Sequence, residues 1–513
     1  MYEDNDADYD RVQRLMESVL DASLAEIAAR LDTRGEGVPL VVCNPLAWTR
    51  SEPVQLTLRL SASPKCLVIR DTEGRTMLTQ TLCVRQEGHY WQADVLFLAR
   101  DVPALGYRVF RAWDEEPGGR RHENRTHVVG TRDILVLENE FLRVTVNRHT
   151  GHIASILDKK AAREALAGPG NVLQAIAEIP GRSTAWMIAL SDQVDELCRR
   201  EAVEVVHSGP AQATVRVGTR YRDSYFSQDI TLYAGMPRVD VRLQADWYER
   251  DSCLKVAFPV AVEGGQATFE APLGTVVRPA DGAEVPAQRW TDVSNAEYGV
   301  SLLNDCRYAF DVTDNRLRMT IVRGIPDLDP EADVGHHDLR YALYPHQGDW
   351  RQGGTVRQGW AFNVPLIARQ ALRRAGVIAP WIARGINHAM PPAFAFLEVE
   401  PENVVLAAFK LEQEDWGPGS PVIGRFYETA GQPTEAQVSF AAPFMMLEET
   451  NHLEAPIESD GFEWKDNEVA IRFRPHEIKT FRFRLAIPAF AIYEGRKHRD
   501  DIAPGFLPGF EGG

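Results

Sequence analysis

Residues Leu137–Trp186 read LENEFLRVTVNRHTGHIASILDKKAAREALAGPGNVLQAIAEIPGRSTAW, and this run decides the architecture. Leu142, Val144 and Val146 alternate with Arg143, Thr145 and Asn147, the period of two that puts one face of a strand in a core and the other in water. His149-Thr150-Gly151 interrupts the pattern and Ile153–Leu157 resumes it, which is the signature of a hairpin. Asp158-Lys159-Lys160 and a Gly168-Pro169-Gly170 turn then lead to Asn171. A long antiparallel sheet begins here.

Alternation of this kind dominates downstream. Val239, Val241 and Leu243 alternate with Asp240, Arg242 and Gln244, and Leu317, Met319 and Ile321 with Arg318, Thr320 and Val322. From Asp133 to about Leu366 there is almost no helical periodicity and too much strand for one small sandwich, so two large stacked antiparallel sheets are expected, a super-sandwich over 131–375. Turn residues thicken over Arg374–Pro392, and a third unit, a C-terminal β-sandwich, is expected over 376–486. Its strands include Val469, Ile471 and Phe473, then Phe481, Phe483 and Leu485. The Gly/Pro-rich remainder, 487–513, reads as a tail.

Upstream, Val54, Leu56, Leu58 and Leu60 alternate with polar residues, and short strands around Cys66–Arg70, Trp91–Phe97 and Tyr107–Trp113 complete a small Ig-like β-sandwich over 36–115. Residues 116–130, with Pro117-Gly118-Gly119, read as a linker. The first 35 residues are different. Val12, Leu15, Met16, Val19, Leu20, Leu24, Ile27 and Leu31 recur at three- and four-residue steps, an amphipathic helix whose apolar stripe needs a cover. Either it packs on the β-domains, or its partners belong to polypeptide that precedes it; the second is expected.

A net charge of −17 argues against nucleic acid or an anionic membrane as partner. No apolar run approaches the ~20 residues that span a bilayer. The acidic start MYEDNDADYD is no secretory signal. Six scattered cysteines without C-x-x-C spacing read mostly as buried free thiols in a reducing, cytoplasmic setting.

The order of motifs carries more than any one of them. Glu138-Asn139 with Val144, Ile153–Lys159 (IASILDK) and Gly170-Asn171 are followed by Gln228–Tyr233 (QDITLY), Asp246-Trp247 with Glu249, and Leu254–Pro259 (LKVAFP). Val285–Trp290 (VPAQRW), Gly299–Asp305 (GVSLLND) and Asp333-Val334-Gly335 running through Tyr341–His346 (YALYPH) to Gly348 come next. Val41–Arg50 (VVCNPLAWTR) precedes them and Pro475–Phe481 (PHEIKTF) closes the series. Together, over about residues 1–486, they resemble the β-domains of glycoside hydrolase family 38, the retaining α-mannosidases. The resemblance implies a mainly β fold: a remnant helix of a helical bundle, the small sandwich, a galactose-mutarotase-like super-sandwich and the C-terminal sandwich.

It also implies hydrolysis of terminal α-D-mannosides by a carboxylate nucleophile, a carboxylate acid/base and a zinc ion. In the family those groups belong to an N-terminal α/β domain, with one ligand in an H-D-x-x-x-G run that is not present here. Met1-Tyr2-Glu3-Asp4 resembles a V-Y-E-D stretch shortly after that run. The expectations are therefore no zinc in this chain, no catalytic residue in it, and no activity alone. Implied partners are an α-mannoside through the missing domain, a separate N-terminal catalytic chain, and a second copy of this chain. The alternatives are a non-catalytic subunit complementing that catalytic chain, or a free-standing sugar-binding, mutarotase-like sandwich.

Candidate site residues follow. In the family the large β-domain lends side chains to the rim of the cleft, and Phe269, Glu270, Arg289 and Trp290 lie in the corresponding part of the pattern. Trp290 and Trp350 either stack on a sugar or pack in a core. Asp333, His336, His337, Asp338 and His346 crowd together, and His336–Asp338 spells an H-x-D that a strand would place on one face. A second H-x-D at His498–Asp500 shows how easily that pattern arises, and satisfied polar residues are the expected reading. Asp246 with Glu249, or Glu270, could supply paired carboxylates, though a solvated sheet face is the ordinary outcome. Glu178-Ile179-Pro180 and Ala185-Trp186-Met187 depart from the D-x-P and A-W-D that relatives commonly carry.

Overall fold

The computed structural model describes residues 2–116, 126–198, 200–327, 329–372, 390–413, 420–442 and 444–485. The linker centre, most of the 374–392 boundary, the tail and His498–Asp500 lie outside these residues. The described chain is mainly β, with antiparallel sheets and two helices, α1 (Tyr2–Ala29) and α2 (Thr355–Asn363).

The small sandwich stacks a three-stranded sheet, with Tyr90–Val102 between Arg50–Leu60 and Thr79–Glu87, on a sheet centred on Val38–Asn44 and Gly106–Asp114. Its core joins Leu40, Val42, Leu58, Phe97 and Phe110. Two strands arrive from far along the chain. Ile367–Gln370 pairs with Val38–Asn44 (Leu40 opposite Gln370), and Ala393–Ala395 pairs with Gly106–Asp114. The first of these falls within the 131–375 span assigned from sequence to the large unit. Its hydrogen bonds assign it to the small one, because ladder pairing is not a local property of the chain.

The large unit follows the alternation. A nine-stranded sheet, with Val239–Trp247 beside Gly335–Gln347 at its middle, faces a six-stranded sheet containing Val172–Glu178, Ser252–Pro259 and Arg316–Gly324, and a five-stranded one containing Leu142–Asn147 and Ile153–Asp158. Leu142, Val144, Val146, Val239, Val241, Leu243, Leu317, Met319 and Ile321 all enter one core. The C-terminal unit is two four-stranded sheets around an aromatic cluster in which Phe440 meets Phe444 edge-on with centroids 4.8 Å apart.

α1 forms where its periodicity places it, but only its end is covered. Leu24 and Leu31 are buried, and Ile27 and Ala28 pack on a cluster with Val41, Tyr107 and Val109. Val12, Leu15, Met16, Val19 and Leu20 are 40–67% exposed. α2 has no counterpart in the sequence reading, which continued strand to about Leu366. The cysteines are free, yet Cys66, Cys83 and Cys198 are exposed and only Cys253 is fully buried, so burial of most thiols does not hold. No described helix is long and apolar enough to cross a membrane.

Candidate functional site

The three sandwiches meet around α2. Asp349 starts the approach: its carboxylate accepts from the backbone N–H of Arg351 and Gln352, and its carbonyl from that of Gly353. Gly354 then takes a left-handed φ of 66°, which glycine adopts without strain, and the helix runs to Asn363, two residues before Pro365. Val356 and Phe362 share a core with Leu46 and Trp48 of the small sandwich, Trp290, Tyr344 and Trp350 of the large one, and Val405 and Tyr427 of the C-terminal one. A nine-residue helix is marginal by itself. Here three domains hold it.

Trp48 reaches this junction through a polar knot. Asn44 donates from Nδ2 to the carbonyls of Trp48 (2.8 Å), Val102 and Pro103, while its Oδ1 accepts from Leu46 N–H and Arg50 Nε. Arg50 passes on to the Val364 carbonyl at 3.0 Å, tying the knot to the end of α2. The V-x-N-P-x-x-W-x-R run is thus a device for seating an indole between domains.

Of the four residues singled out for the substrate rim, Phe269, Glu270 and Trp290 are buried at or near this junction and Arg289 is half-buried. Arg289 grips Glu270 through Nη2 to Oε1 (2.8 Å) and Nε to Oε2 (3.0 Å), and its backbone N–H donates to the same carboxylate at 2.7 Å. Its guanidinium lies 3.8 Å from the centre of the Trp360 ring, whose Nε1 donates to the Tyr427 hydroxyl at 2.9 Å. Burial raises the Glu270 carboxyl above its usual range, and Arg289 pulls it back. Trp290 is fully enclosed, 5.4 Å from Trp350 between ring centroids, and Phe269 is enclosed in the core of the large sandwich. In this structure neither ring presents a face to a ligand; both pack.

The His/Asp crowding resolves into separate pairs. His336 Nδ1 meets Asp246 Oδ1 at 2.8 Å, Arg242 Nε donates to Asp338 at 2.9 Å, and His337 Nε2 lies 2.8 Å from the Asp333 carbonyl. The Arg242 hydrogen bond holds Asp338 below the ordinary carboxylate range. His346 lies on the same face of its strand but under α2, buried against Asp292 at 2.8 Å. Glu249 accepts from Ser224 Oγ at 2.9 Å and pairs with Arg222, away from Asp246's partner. Among the described residues no three His, Cys, Asp or Glu side chains converge to hold a metal.

What the sequence reading missed is a set of three adjoining clefts of about 620, 320 and 480 Å³ where the sandwiches meet, all lined by Arg357 and Glu402. Nothing in the pattern marked Arg357, since it lies on the helix that was read as strand.

The family description "Glycosyl hydrolases family 38 C-terminal domain" matches residues 137–331, starting at the first residue of the hairpin run, and "Glycosyl hydrolases family 38 C-terminal beta sandwich domain" matches 403–481. The chain belongs to glycosyl hydrolase family 38. It corresponds to the C-terminal portion of that family's α-mannosidases. It is 28% identical over 373 residues to alpha-mannosidase 2C1 of Homo sapiens, covering 69% of this chain and 34% of that protein. Against the alpha-mannosidase of Saccharomyces cerevisiae it is 26% identical over 396 residues, covering 69% and 35%. The chain thus spans about a third of the length of these curated relatives. Among solved structures, a glycosyl hydrolase family 38 protein from Enterococcus faecalis superposes with a TM-score of 0.71 at 16% identity over 90% of this chain and 60% of that one. An alpha-mannosidase from Enterococcus faecalis V583 gives 0.70 at 15% over 91% and 58%. These two likenesses establish the fold.

Proposed function

We propose that this chain is the β-rich frame of an α-mannosidase, inactive by itself, which docks a polypeptide supplying the nucleophile, the acid/base and the zinc for cleavage of terminal α-D-mannosides. The observation that carries the proposal is the bare stripe of α1, five apolar side chains in a row on a helix anchored only at its C-terminal end. An amphipathic helix of this length is stable when a second element covers such a face. The chemistry of the frame supports the same reading. Retaining hydrolysis needs two carboxylates about 5 Å apart across a cleft, whereas Asp246, Glu249 and Glu270 are each engaged by different partners. Free cysteines suit a cytoplasmic setting.

The test is turnover of an aryl α-mannoside with added zinc. The purified chain is expected to give none. Mixed with a separately expressed family 38 catalytic domain that includes its helical bundle, it is expected to restore turnover. The double substitution Met16→Glu with Val19→Glu should abolish that rescue while leaving the circular dichroism of the chain unchanged. Zinc-dependent cleavage by the chain alone would refute the proposal.

A further inference from the structure

The clefts at the junction converge on a guanidinium whose bonding is incomplete. Arg357 lies near the start of α2 with its side chain 19% exposed. Among the described residues its Nε is buried without a hydrogen-bond partner, and its Nη1 lies 3.6 Å from Glu402. One face of the group rests on the Trp48 ring, 4.8 Å from the centroid. Arg289 makes the contrast, with Glu270 chelated by side chain and backbone alike. A guanidinium carries five donors; Nε is shut away, while the terminal nitrogens are not among the buried unmatched atoms and belong to the part of the group that lines the clefts. Burial outweighs every other influence on Arg357 and shifts its pKa downward.

The surroundings restrict what can complete it. The largest cleft, about 620 Å³, falls within the ~300–1,000 Å³ of small-molecule sites. Its walls carry Thr49, Glu398, Glu400, Glu402, Glu435 and Gln437 around Arg357. Glu398, Glu400 and Glu402 act electrostatically on the guanidinium. An anion bound to Arg357 would sit among four carboxylates and be repelled. A cation near enough to use those carboxylates would face the guanidinium. A neutral ligand with several hydroxyls meets neither penalty: its oxygens accept from Arg357, and its hydroxyls donate in pairs to carboxylates with free lone pairs.

We propose that this cleft is a binding site for a neutral polyhydroxylated ligand, a hexopyranose unit of a glycan, held by Arg357 donating to its oxygens and by Glu400 and Glu402 accepting from neighbouring hydroxyls. The site lies wholly within this chain and needs neither zinc nor catalysis, so its fate is separate from that of the frame reading.

The experiment titrates the full chain with methyl α-D-mannopyranoside and with methyl β-D-glucopyranoside, reading tryptophan fluorescence and ligand saturation-transfer signals. Saturable binding of at least one glycoside in the millimolar range is expected. Arg357→Lys keeps the charge but loses the fork and should weaken binding by about tenfold or more, the loss of one charge-assisted hydrogen bond. Glu402→Gln, at a side chain 80% exposed, is safe for folding and should weaken it in the same direction. Inorganic phosphate should not compete. Absence of saturation for both glycosides up to about 100 mM, unchanged binding in both variants, or displacement by phosphate would each overturn the proposal.

Discussion

The two helices of this β-protein make opposite use of the same physics. α1 has 28 residues and a regular apolar stripe, yet most of that stripe faces water. α2 has nine residues, a glycine in its body and no acidic or basic residue at the favourable ends, yet it is packed by three domains at once. Stripe quality therefore says that a helix can form, and says nothing about whether its cover is in the same chain. Short, poorly marked segments become helical where surrounding cores hold them. α2 is a keystone, and α1 an outstretched arm.

The comparison can be broken at the keystone first. Glu270→Ala would leave the Arg289 guanidinium half-enclosed without its carboxylate, and a loss of about 3–5 kcal/mol is expected in urea unfolding. A loss under about 1 kcal/mol would mean that the junction is held by apolar packing alone. Gly359→Ala pits two rules against each other. Helix propensity favours alanine by about 1 kcal/mol, but the added Cβ would lie 2.8 Å from Trp290 Cδ1, so a net loss of about 1–3 kcal/mol is expected. A gain in melting temperature would show that the keystone is looser than its contacts imply.

Smaller effects belong to the surface. Asp338 has its pKa depressed in the fold by Arg242, so its contribution is present above the unfolded carboxylate pKa and fades as pH falls through the folded value. Asp338→Asn should cost below about 1 kcal/mol at neutral pH, screened as a partly exposed pair is, and should flatten the stability profile on the acid side. An unchanged acid limb would remove Arg242–Asp338 from the stabilising pairs. At the arm, Val12→Lys with Val19→Lys should alter the stability of the isolated chain by no more than about 0.5 kcal/mol, because nothing described in the chain covers those positions. A large loss of thermal stability there would reveal a cover within the chain, and α1 would cease to differ from α2.

Much of the fold was readable because period-two alternation is a direct imprint of a sheet with one dry face. Leu142, Val144 and Val146 entered the core for that reason. The motifs were readable too, and the structure explains what they do. Asn44 and Asn139 each bond to surrounding backbone, Asn139 donating to the Tyr233 and Met236 carbonyls and accepting from Phe141 and Leu142 N–H. Such residues mark a family through its turns, not through its chemistry. For the same reason motif position alone put Phe269 and Trp290 on a rim, while packing enclosed them. His336 and His346 share a face by parity, yet one is exposed and the other buried, since parity does not report what lies above a strand.

By itself the sequence determined many of the strands, their core faces and the arm-like helix, because each is written in spacing along the chain, while the order of its motifs carried the resemblance to the family. Only the tertiary structure decided that 367–370 returns to the first sandwich, that 355–363 is helical, and that Arg357 stands where three clefts meet. Those outcomes depend on which surfaces, hundreds of residues apart, exclude water from one another, and no local period encodes that.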